Sequence, residues 1–312
     1  MKELISSSIS IDFMGKSRLC AFLSMVCVAA SAYLFVSMGT AKYGTDFSGG
    51  QEFLVSFRGQ HDSQSIRDSL AKQNLNDVRV QAFQGASSEY SLRLNKTGDA
   101  SEIRTTIENA LRAAFGDEAT IEKTDYVGPT VGAELRRSGL IAVILGILGM
   151  LVYIAIRFEF SLGVGTIVAL LHDVTISTGV YLISGHVINM ATLAAALTVV
   201  GYSVNDTVVI FDRVREERKK RRSYDISELV NEAINFTLSR TVITHVLTLI
   251  SALALYVVGS GEIKDLSLYL VAGIVCGAYS TIFIVAPIVI LLERRRQPQT
   301  SSRRVAAHAK SA

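Results

Sequence analysis

Residues Gly201 to Glu216 read GYSVNDTVVIFDRVRE, and Asp206 within them stands inside an apolar run from about Val187 to Phe211. A helix of about 20 apolar residues crosses a bilayer, so this carboxylate belongs to a membrane span. There a charge costs about 3 kcal/mol on insertion scales. A second stretch, LSRTVITH from Leu238 to His245, puts Arg240 inside another long run. An intramembrane acid and base are by default a functional pair, which makes membrane transport the first class to consider.

Composition agrees. Hydrophobic residues make up 49% of the chain, charged residues 19%, and mean hydropathy is +0.36, outside the range of a soluble globular domain. The net charge of +3 is small, and the arginines flank apolar runs without interleaved aromatics, so no nucleic-acid role is expected. Cys20, Cys27 and Cys276 all fall in apolar segments and read as packed side chains rather than disulfide partners or metal ligands.

Six spans are predicted, over 19–38, 139–156, 160–183, 187–211, 241–258 and 266–292. The first has Lys16 and Arg18 before it, and its core is too long for a cleaved signal, so it reads as an uncleaved anchor. Basic residues resist translocation, and the segment after the fourth span holds Arg213, Arg215, Arg218, Lys219, Lys220, Arg221 and Arg222. That places residues 1–18, the loop and start of the fifth span at 212–240, and the tail 293–312 in the cytoplasm, with 39–138 as a periplasmic domain. The tail from Gln297 to Ala312 is polar and basic and is expected to be mostly disordered. The basic run Arg218 to Arg222 reads as a topology determinant, with contact to anionic membrane lipids as a second role.

Within 39–138 the alternation of Glu52 to Arg58 predicts a strand, followed by a helix from Asp62 or Ser63 to about Gln73. Asp77 to Gln84 and Glu89 to Asn95 read as a hairpin about Gly85, Ala86 and Ser87. Ile103, Ile107, Leu111 and Phe115 mark a second helix over Ala100 to Phe115, and Ala119 to Val127 a last strand. The β-α-β-β-α-β order predicts an α+β, ferredoxin-like unit inserted into an all-α six-helix bundle. The junction sequence from Asp46 to Gly50 reads as a turn in which Gly49 and Gly50 supply unusual φ angles. No phosphate-loop sequence occurs, so no bound nucleotide is expected, and neither catalytic nor metal-ligating groupings are evident.

At 1.5 Å per residue Asp206 and Arg240 reach similar depths from the cytoplasmic side. Ser203, Asp206 and Thr207 share one helix face, with Asn205 beside them orienting either a helix contact or the carboxylate. On the fifth span Thr237, Thr241, Thr244, Thr248 and Ser251 form a polar stripe beside Arg240; His172 and Asp173 on the third span and His245 on the fifth lie near the same level. These residues predict a buried polar path in which Asp206 takes up and releases a proton while Arg240 keeps its site polar. The competing reading is a static ion pair fixing helix packing, with the hydroxyls as interhelical contacts and the histidines bonded to neighbours. Gly273 and Gly277 form a GxxxG pattern for close helix packing.

Five segments carry a family resemblance: DFSGG at Asp46 to Gly50, VGPTVGAEL at Val127 to Leu135, HD at His172-Asp173, GYSVNDTVVIFDRVRE at Gly201 to Glu216 and SRTVITH at Ser239 to His245. In order and across nearly the whole chain they resemble bacterial SecF, of the SecD/SecF family and RND superfamily. The resemblance implies half of an RND-type transporter, a non-enzymatic translocase subunit of the inner membrane. It implies SecD as partner beside the SecYEG channel, with YajC and YidC, and proton-motive force used to pull preproteins outward. It also carries the family's membrane acid and arginine onto Asp206 and Arg240. A self-associating proton-coupled exporter of small molecules or lipids, or a passive translocase scaffold, are the other readings.

Overall fold

A computed structural model describes residues 11–296 apart from 60, 74, 76, 83–87, 95–99, 159 and 222–223. The hairpin turn at Gly85, Ala86 and Ser87 and the tail from Gln297 lie outside the described residues. Among the described residues six helical segments are long and apolar enough to cross a membrane.

Helix α1 (Ser17–Ser37) is followed by a 3-10 turn (Gly39–Lys42) and the short α2 (Thr45–Ser48). Strand β1 (Gly50–Phe57), helix α3 (Ser63–Ala71), strands β2 (Arg79–Ala82) and β3 (Glu89–Leu94), helix α4 (Ala100–Phe115) and strand β4 (Ala119–Val127) make the outer domain. Asp62 occupies the N-cap of α3 with extended backbone but makes no side-chain cap bond. The sheet is antiparallel in the order β2-β3-β1-β4. Alternation along β1 sends Phe53, Val55 and Phe57 to one face, where Ile66 and Leu70 of α3 and Ile107 and Leu111 of α4 cover them. The other face carries Leu54 and Lys123, and Lys123 reaches Glu262 at 3.2 Å, so the sheet stands on the membrane helices.

The remaining helices are α5 (Pro129–Arg157), α6 (Phe160–Ile183), α7 (Met190–Lys220), α8 (Ile226–Val258), α9 (Gly261–Ser280) and α10 (Ala286–Arg296). Helices α6, α7 and α9 form the buried centre, while α1, α5 and α8 show most of their apolar surface outward. Gly273 explains how closely α7 and α9 pack: a Cβ there would lie 2.1 Å from Val199 Cγ2.

Helices α7 and α8 run past the apolar stretches that announce them. With 31 and 33 residues they are each nearly 50 Å long, against a hydrocarbon core of about 30 Å. Hydropathy marks where a helix meets lipid, not where its hydrogen bonds stop. Arg213 bonds Glu216 and Glu217 at 2.7 and 2.8 Å and Lys220 bonds Glu216 at 2.7 Å, pairs that sustain a polar helix. Asn189 caps α7 through a capping box with Thr192, and the Asp225 side chain accepts from Ser227 N–H at the start of α8.

The last span is one helix interrupted by a π-turn at Thr281–Val285. Pro287 has no N–H to continue the ladder, and the Ala286 N–H bonds Thr281 O instead.

Candidate functional site

The polar residues of the membrane gather in two adjoining places on α7. The first surrounds Asp173 of α6, which is 0% exposed. One carboxylate oxygen lies 2.9 Å from His172 Nδ1; the other accepts from Ser203 Oγ of α7 at 2.7 Å and Ser280 Oγ of α9 at 2.8 Å. One turn along, Thr207 and Thr281 hydroxyls meet at 3.2 Å. Ser280 and Thr281 sit where the π-turn begins, so the irregularity that Pro287 imposes coincides with this contact. The His172 ring stacks on Tyr279, centroids 6.1 Å apart.

The second place is Asp206, buried between α7 and α8. Its Oδ2 lies 3.0 Å from His245 Nδ1. That nitrogen is also 2.9 Å from Thr241 O. A carbonyl oxygen only accepts, so Nδ1 carries the hydrogen. The bond is aimed at Thr241, and Asp206 Oδ2, though near, is left without a hydrogen bond of good geometry, as is His245 Nε2. The Tyr202 ring stands edge-on to His245 at 5.2 Å, with its hydroxyl on Thr248 Oγ1 at 3.2 Å.

Of the residues expected along a path, the structure brings Ser203, Thr207, His172 and Asp173 into one seam and Asp206 and Thr241 into the other. Arg240 stands on the exposed side of α8, within electrostatic range of Asp206 but outside ion-pair distance. Asn205 is also exposed. Thr237, Thr244, Thr248 and Ser251 turn their hydroxyls back on carbonyls of their own helix, at 2.8 to 3.2 Å. Thr241 is the exception, with Oγ1 buried and unbonded. Ser280 and Thr281 did not stand out in the sequence; the signal available was their helical spacing from Gly273 and Gly277.

The Asp46 to Gly50 junction locks the outer domain to the membrane helices. Asp46 Oδ2 accepts from the Met190 N–H at the start of α7 at 2.8 Å. Burial raises the Asp46 carboxyl above its ordinary value against the opposing pull of that N–H. Gly49 has φ +73°, and a Cβ on it would lie 2.9 Å from Pro129 Cα; a Cβ on Gly132 would lie 2.9 Å from Gly49 N. DFSGG and the GPTVG sequence at the start of α5 are therefore two halves of one backbone contact. A second tie joins the α6–α7 loop to α9, where His186 Nδ1 and Asn189 Nδ2 reach Asp265 at 2.7 and 2.8 Å.

Residues 106–295 match the family described as protein export membrane protein SecD/SecF, C-terminal. The chain is 36% identical to the protein translocase subunit SecF of Calditerrivibrio nitroreducens, over 95% of this chain and 98% of that one. The chain belongs to the SecD/SecF protein-export family. It is also 36% identical to the SecDF subunit of Brucella abortus, over 92% of this chain and 38% of that longer one. The crystal structure of the translocon-associated membrane protein SecDF from Thermus thermophilus superposes with a TM-score of 0.84 at 33% identity, over 93% of this chain and 40% of the SecDF chain. Against SecDF chains, then, it spans about two-fifths of the length. Six apolar helices and SecF relatives make it a multi-pass protein of the inner membrane.

Proposed function

We propose that this chain is the SecF half of a SecD–SecF pair that uses proton-motive force to promote preprotein export, with Asp206 as the group that takes up and releases the proton. The observation that carries this reading is the Asp206 carboxylate: buried in a span, with Oδ2 3.0 Å from an imidazole and lacking a hydrogen bond of its own. Arg240 and Asn205, exposed beside it, would face SecD. SecDF relatives in which both halves share one chain support that pairing. One proton moved through about 100 mV supplies roughly 2.3 kcal/mol, enough to shift a two-state equilibrium about fifty-fold.

The βαββαβ order and the strand order β2-β3-β1-β4 support a ferredoxin-like domain, and the basic run after α7 supports its placement in the periplasm with both termini in the cytoplasm. Its ties to α5, α7 and α9 through Asp46, Gly49 and Lys123 offer a route by which helix movement reaches it. The SecYEG channel, YajC and YidC are the remaining partners of this reading, and the proton, not a nucleotide, is its coupling species.

The test is export into vesicles carrying the channel, SecD and this chain, under an imposed proton gradient. Asp206→Asn should remove the gradient-dependent stimulation with assembly intact. Stimulation equal to that of the unaltered chain would reject the proton role.

A further inference from the structure

A cleft of about 630 Å³ opens between α1 and α5 at the domain end of the bundle. Phe35, Phe47, Leu140, Val143, Leu193 and Ala196 line it. Its volume falls in the range of about 300 to 1,000 Å³ typical of sites that enclose a ligand. Two polar groups on its lining, Thr178 Oγ1 and Tyr269 Oη, are bonded to each other at 3.0 Å, so here the cleft presents hydrocarbon to an occupant.

The cleft exists because α5 leans on α7 rather than on α1. Gly139 and Gly146, seven residues apart on one face, allow that contact: a Cβ would lie 2.4 Å from Leu193 Cδ1 at the first and 2.9 Å from Leu197 Cδ2 at the second. The adjoining stripe of α5, Ala133, Arg136, Arg137, Leu140 and Val143, is left facing the opening.

That stripe is amphiphilic along its length. Arg136 and Arg137 are exposed, with the Arg136 guanidinium 5.9 Å from the Tyr43 ring centroid, and among the described residues neither forms an ion pair. Val143 lies two turns deeper, about 10 Å along the helix axis. A smaller pocket at the opposite end of the bundle also has arginines, but there Glu293 is part of the lining, Arg218 faces it at 3.9 Å and Arg157 faces Asp212 at 3.5 Å, with Arg215 beside them. The α1–α5 cleft, with no carboxylate on its lining, joins the two unpaired guanidiniums to an apolar interior.

We propose that this cleft binds an anionic phospholipid, with an acyl chain against Leu140 and Val143 and the headgroup phosphate on Arg136 and Arg137. A guanidinium matches a phosphate with paired N–H donors, and basic pockets between membrane helices suit acidic headgroups. An export substrate's apolar segment would also fit hydrocarbon walls, but it brings no negative charge for the two arginines.

Native mass spectrometry of the full chain, purified in mild detergent with whatever partner accompanies it, tests this with added phosphatidylglycerol and phosphatidylcholine of matched chains. Phosphatidylglycerol should be retained preferentially, and Arg136→Gln with Arg137→Gln should weaken it about tenfold or more, to the level of phosphatidylcholine. Leu140→Trp, at a position already 60% exposed, should reduce retention of both lipids without lowering the melting temperature. Glycerol phosphate should compete poorly; competition equal to the lipid's, with Leu140→Trp silent, would leave only an anion site and overturn the proposal. Equal retention of the two lipids by the unaltered chain would overturn it, and so would a photocrosslinker at Leu140 that captures polypeptide instead of lipid in cells.

Discussion

Asp173 and Asp206 are both carboxylates inside the membrane, one turn of α7 separates the places where they meet it, and their surroundings differ completely. Asp173 is tied on both oxygens by His172, Ser203 and Ser280, from two other helices and its own. Asp206 has one near neighbour, His245, whose N–H is directed at a backbone carbonyl. A buried carboxylate with three donors is a structural fixture, because removing it strands all three. A buried carboxylate oxygen with no donor, like Asp206 Oδ2, has no such contact to lose, which is what the proton role proposed for it requires. The α6–α7–α9 seam therefore holds its acid by hydrogen bonds from three side chains, and the α7–α8 seam leaves an oxygen of its acid without one.

The largest expected effect separates the two by substitution. Asp206→Asn should abolish proton-driven stimulation of export yet shift stability by less than about 1 kcal/mol, since no hydrogen bond of good geometry is lost. Asp173→Leu should instead destabilise the bundle by about 3 to 5 kcal/mol, read as lower melting temperature and lower yield, by leaving buried donors unpaired. If Asp173→Leu kept its stability, the two acids would not differ in the way their contacts say.

A sharper version uses the helix spacing. Ser203 and Ser280 reach the same oxygen only because Gly273 and Gly277 bring α9 onto α7. Gly273→Leu should cost about 1 to 3 kcal/mol through its collision with Val199. It should disturb Asp173 and spare the α7–α8 contact of Asp206, which proton-uptake measurements on the purified chain would distinguish.

Outside the membrane, Asp46 offers a weaker contrast with its own amide. Burial raises its folded-state value above the ordinary 3.8, so the folded protein holds its proton to higher pH than the unfolded chain does. The associated stability is complete below the ordinary value and is lost as pH rises through the folded one. Asp46→Asn keeps an acceptor for the Met190 N–H and removes the titration. Its melting temperature should decline less than that of the unaltered chain across that window; parallel curves would show that Asp46 does not titrate there. Smallest of all, Lys123→Ala should change stability by no more than about 0.5 kcal/mol, because its pairs with Asp125 and Glu262 are largely solvated.

The spans, the strand alternation and the place of Asp206 were legible because each depends on the character of neighbouring residues in the chain. Helix α4 and strand β4 begin and end where periodicity alone puts them. The extension of α7 to Lys220 and the start of α8 at Ile226 were not legible, since a charged helix end looks like a loop to hydropathy. Depth counted along a helix is likewise blind to rotation about its axis. It set Arg240 level with Asp206, but azimuth turned Arg240 outward and brought His245 in.

By itself, then, the sequence determined that this is a six-span membrane protein with an α+β insertion and an acid in its fourth span, because burial of apolar length and the cost of a charge in lipid are local quantities. Which groups touch that acid, which acid is tied down, and that DFSGG closes on the first turn of α5 were decided only by the tertiary structure. Those contacts join residues tens to more than a hundred positions apart, and close approach at glycines, not composition, selects them.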